Sequence, residues 1–146
     1  MNRITAAQEC LARARGVREI LTASYAAFDH LLLAIREHQE RAGGLLAAFV
    51  LSAASAADGR DALTAAPSLP LPLPRADCAT VAGAEVPDEP ADIDDVADAL
   101  AGLSVMLAVR LQRAADWAGN AGDRVACTDA ARSAAAICSL LARPGP

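Results

Sequence analysis

Two histidines, His30 and His38, stand eight residues apart with Asp29, Glu37 and Glu40 around them. Imidazole and carboxylate together are a common set from which proteins build a metal centre or move a proton. A dimetal site in a helical bundle needs Glu-x-x-His on two helices, with carboxylates from two more. Here the residues three before the histidines are Ala27 and Ile35, and both histidines fall on one predicted helix. The expectation is no metal site and no cofactor. On a helical wheel His30 lies opposite Phe28 and Leu32, which predicts a solvated surface histidine. A phosphoacceptor role for His30 would call for a basic residue and a glycine soon after it, where the chain has Leu33 and Ala34.

Asp94, Asp95 and Asp98 spell DDVAD, a spacing at which acids one turn apart share magnesium with a diphosphate. They also fall at the start of a predicted helix, where unpaired N–H groups and the macrodipole favour acids, so a capping role is expected. The four cysteines form no Cys-x-x-Cys pair. Cys127 and Cys138 sit about 16 Å apart along one helix, too far to bridge. Cys10 reads as a small packing residue and Cys78 as the exposed thiol. There is no glycine-rich phosphate loop and no Gly-x-Ser-x-Gly, so no catalytic residue is singled out.

The elements that would carry these residues follow from composition and period. The chain has 146 residues, 54% apolar but only 3% aromatic, with thirty-eight alanines. Scarcity of aromatic and β-branched runs predicts an all-α protein. All thirteen basic residues are arginine and the net charge is −5, a usage that fits a GC-rich bacterial genome. No basic cluster offers a grip on a phosphate backbone, so nucleic acid is not an expected partner. The charged stretch MNRITAAQECLARARG lacks the apolar core of a signal peptide, and the cytoplasm is the expected compartment. The longest uncharged run, residues 42–57, is shorter than the ~20 residues a bilayer needs, which predicts no membrane span.

Leu21, Tyr25, Phe28, Leu32 and Ile35 step by 4, 3, 4 and 3, and Ile4, Ala7, Leu11 and Ala14 extend the stripe backward. This predicts one helix over about 5–41, bent near Gly16, capped by Thr5 with Gln8 and ended by Gly43 and Gly44. A second helix, about 45–63, carries Leu45, Leu46, Phe49, Val50 and Leu51, then only small residues, so its far half must pack closely or not at all. Prolines 67, 70, 72, 74, 87 and 90 mark residues 67–91 as an acidic linker. Its PSLPLPLPR stretch, ending in Arg75, reads as a stiff spacer. Helices over about 92–117 and 122–142 follow, with Asp92 and Asn120 as caps. The expected architecture is a single four-helix bundle-like domain, 1–146, of two helical hairpins joined by a long proline-rich acidic crossover.

Trp117, Ala118 and Gly119 form a Trp-x-Gly between two helices, which resembles the signature of the small type VII secretion substrates. That resemblance implies a secreted helical-hairpin partner. Read without it, Trp117 beside a glycine turn would plug the end of the bundle.

Leu103 to Leu111, LSVMLAVRL, is apolar nearly all round, more than one core-facing stripe needs. Either this helix is the enclosed centre of the bundle, or Val105, Met106 and Val109 form a contact face. The reading carried forward is a small non-catalytic helical protein that acts through self-association, as a homo-oligomer, or by binding a partner protein. The alternatives are an enzyme or small-ligand protein with a pocket lined by Tyr25, Phe28, Phe49 and Met106, and a type VII-like secretion partner.

Overall fold

The computed structural model describes residues 2–70, 73 and 92–142. Residues 71, 72 and 74–91, most of the expected linker with Arg75 and Cys78, lie outside them. The described residues are all-helical: α1 (Asn2–Arg13), α2 (Gly16–His38), α3 (Leu46–Leu63), α4 (Ile93–Trp117) and α5 (Ala121–Leu141). Two single 3-10 turns, Gln39–Arg41 and Gly43–Leu45, join α2 to α3.

The helix expected over 5–41 is two helices, and the break between them is a reversal rather than a bend. Ala14 closes α1 by donating its N–H to the carbonyls of Cys10 and Leu11. Arg15 is then extended, and Gly16 adopts φ +77°, a left-handed conformation that glycine takes without the Cβ penalty. The Arg15 N–H, released from α1, donates to the Glu19 carboxylate in the first turn of α2. The chain folds back so that α1 packs on α2, and Arg3 reaches Glu37 at 2.7 Å. Since α1 begins at Asn2, Thr5 lies inside the helix rather than at its N-cap.

Arg110 of α4 completes the turn. Its guanidinium donates to the carbonyl of Leu11 from Nε (3.0 Å) and Nη2 (2.7 Å), and to that of Ala14 at 2.6 Å. The last carbonyls of a helix have no intrahelical donor, and a planar cation at that end also suits the dipole.

Around this hairpin, α2, α3, α5 and α4 pack each against the next in a closed ring, and α1 lies against α2 and α4. The periodic stripes form the core: Leu21, Phe28 and Ile35 of α2, Leu100, Leu103 and Leu107 of α4, and Cys127, Ala134 and Leu141 of α5 are buried. In α3 the buried line is Phe49, Ser52, Ala56, Gly59 and Leu63, so its small-residue half packs closely. The Phe28 ring lies 2.5 Å from where a Cβ on Gly59 would stand, a contact only glycine allows. Asp92 caps α4 by accepting from Asp94 N–H, and Asn120 caps α5 by accepting from Asp123 N–H. No helix among the described residues is long and apolar enough to cross a membrane.

Candidate functional site

The outer face of α4 carries Val105 and Val109 one turn apart, 48% and 50% exposed, between exposed Gly102 and Gln112. Its inner face holds Leu100, Leu103, Leu107 and Leu111 fully buried, so the all-round apolar segment divides between core and solvent. α4 is therefore not an enclosed central helix. Of the three residues expected to form the contact face, Met106 stands apart: it is half-buried and packed against the core. Beside Val109 runs an open groove of about 700 Å³ between α4 and α5, with Ala108, Ala131 and Ala135 as its apolar lining and Arg113, Asp116 and Arg132 as its charged lining. Alanine along this seam leaves room that longer side chains would fill.

A second apolar face was not singled out by the sequence. Leu46, Val50 and Leu51 of α3 are about half exposed, on a helix that turns Phe49 and Ser52 inward. The uncharged run over 42–57 was its signal: more apolar positions than one buried stripe can use. Trp117, expected to plug the bundle end, is 59% exposed where α4 ends, and Val125 on α5 is equally open. The chain turns immediately after Trp117, and Pro67 from the segment following α3 packs against Gly122, where a Cβ would meet it at 2.8 Å.

The expected pocket residues are packing residues by position. Phe28 and Phe49 are completely buried, Tyr25 nearly so, and Met106 half so; Phe28 fills the space over Gly59.

His30 is 9% exposed, against the expectation of a surface histidine. A single helix over 5–41 would leave the face of α2 opposite Phe28 open; with α1 folded back against α2, Ala27, His30 and Ala34 are buried. Burial, then the charge of Arg3, holds the His30 imidazole below its ordinary 6.5, with Asp29 pulling the other way. His38, at the end of α2, is also lowered, by burial and then by Arg41, whose guanidinium contacts His38 Nδ1. Among the described residues no three His, Cys, Asp or Glu side chains gather where a metal ion could be held. Arg3 pairs with Glu37, and Asp29 pairs with Arg60 of α3 at 2.6 Å, so the carboxylates beside the histidines serve helix packing.

Asp123, in the first turn of α5, is buried and accepts from the Ser68 N–H at 3.0 Å, the Ser68 hydroxyl and the Asn120 amide at 2.8 Å. Burial alone would raise its carboxyl, but these donors hold it below its ordinary 3.8. Cys127, one turn on, is pushed up to about 11 by burial and then by Asp123, so it stays a thiol at neutral pH. Cys10 is exposed rather than a packing residue.

No protein-family model, no curated protein and no solved structure matches this chain.

Proposed function

We propose that the chain acts by association with protein rather than by catalysis, and that the outer face of α4 receives a second copy of itself. The observation that carries this reading is the pair Val105 and Val109, half in solvent on a helix whose opposite face is fully buried. Small residues on either side, Gly102 and Ala108, would let a second helix axis approach closely, and a self-complementary face is the usual basis of a two-fold dimer. The same proposal takes the ring of α2, α3, α5 and α4 as a four-helix bundle of two hairpins, with residues 67–91 supplying the crossover. In its support, α2 packs on α3 and α4 on α5.

Light scattering and native mass spectrometry across micromolar concentrations test it. The expected result is a dimer that Val109→Asp weakens at least tenfold, with helicity unchanged because that side chain is half-solvated already. A wild-type chain that stays monomeric throughout would sink the proposal. A dimer broken by Leu46→Asp and indifferent to Val109→Asp would move the interface to α3.

A further inference from the structure

The packing of α1 rests on buried Ile4, Ala7 and Leu11, is pinned by an arginine at each end and contains a polar flaw. At the C-terminal end, Arg110 of α4 grips the carbonyls of Leu11 and Ala14. At the N-terminal end, Arg3 Nη2 donates to Glu37 of α2. The remaining Arg3 nitrogens, Nε and Nη1, are buried and have no hydrogen-bond partner among the described residues, and neither does the buried Nδ1 of His30. Buried polar atoms in folded proteins are nearly always paired, so three orphans in one helix interface call for a reason.

The neutral imidazole tolerates the site in the tautomer that carries its one proton on Nε2, which leaves only a lone pair at Nδ1. Protonation makes both ring nitrogens donors. Nδ1–H would be a third buried donor without an acceptor, on a cation placed beside the guanidinium. The charged groups that act on the ring are Arg3 from α1 and Asp29 of α2, the latter engaged by Arg60 of α3. The carboxylate best placed to compensate is therefore already shared.

We propose that His30 is a proton-sensitive latch: a charge on its buried ring, beside the Arg3 guanidinium, is solvated only when its cover lifts, so protonation frees the N-terminal half of α1 from α2 while the ring of α2, α3, α5 and α4 stays folded. A 12-residue helix has little stability of its own, so release from α2 amounts to local unfolding. Arg110 holds only the last turn of α1, which is why the opening is confined to residues ahead of Leu11. The inference is independent of what docks on α4.

Hydrogen exchange on the full chain between pH 8 and pH 5 tests it, read as protection factors. The expected result is a loss of protection in residues 4–9 that sets in as the pH falls through 6.5, approaches about tenfold per pH unit between there and the folded pKa of the ring, and levels off below it, as one linked proton requires, with α4 and α5 unchanged. His30→Gln should remove that dependence, and His38→Gln should retain it. Protection in α1 that does not change with pH, or that keeps its dependence in His30→Gln, overturns the proposal; so does simultaneous loss in all helices. Should His30→Gln fail to fold, an NMR titration of the wild-type ring decides: the α1 amide shifts must follow the His30 titration curve, and a ring that titrates with α1 unmoved refutes the latch.

Discussion

Asp123 and His30 are both buried ionisable side chains at helix contacts, and they are served in opposite ways. Asp123 accepts from three donors on two other residues, Ser68 and Asn120, and joins the segment after α3 to the start of α5. His30 has a ring nitrogen with no partner among the described residues, under a short helix whose Arg3 pairs with Glu37. Burying a polar group is costly only in proportion to the hydrogen bonds it fails to recover. Asp123 therefore fixes one end of the molecule, while the contact of α1 with α2 contains a group that is tolerated only while neutral. The chain keeps firm and releasable packing in separate places.

The comparison breaks most severely at Asp123. Asp123→Ala strands the N–H and hydroxyl of Ser68 and the Asn120 amide, and urea unfolding at pH 7 should show a loss of about 2–4 kcal/mol. Asp123→Asn, which keeps an acceptor oxygen, should lose visibly less. Next comes Arg110→Ala, which removes charge-assisted bonds to the end of α1. A loss of about 1–3 kcal/mol is expected, and hydrogen exchange should place it in α1 rather than in α5.

Acid should separate the two regions without any mutation. The unfolded chain protonates His30 near 6.5 while the folded ring resists, so stability tied to His30 is complete above 6.5 and declines as the pH falls from there through the folded value. Asp123, lowered in the fold, contributes stability present above its ordinary 3.8 and lost as the pH drops through its folded value. Circular dichroism with exchange data should show α1 loosening first and the remaining helices only in stronger acid; one concerted transition would erase the distinction. The smallest effect belongs to Arg3→Ala. Glu37 is half-exposed, so the ion pair is worth under about 1 kcal/mol, yet the His30 pKa should rise once the neighbouring guanidinium is gone, measurable by NMR.

Much of this architecture was legible in the chain. The stripes of α2, α4 and α5 name buried residues because a 3.6-residue period sorts side chains by face whatever the partner helix is. Asp92 and Asn120 were readable as caps because capping is settled within three residues. The exposed valine face of α4 was legible in part: an excess of apolar positions identified the helix, but whether Met106 or Val109 faces solvent depends on where α5 lies. Gly16 was visible as an interruption, yet a bend and a reversal look alike in one dimension.

Thus the sequence by itself determined the helix faces, the ends of α4 and α5, and the all-α class, since each depends on neighbours within a turn or two. Tertiary structure decided that α1 folds back, that His30 is covered by it, that Arg110 serves a helix end almost a hundred residues away, and that Asp123 receives Ser68. Burial and hydrogen-bond partnership across such separations are properties of packed surfaces, and a period along one helix carries no record of what lies against it.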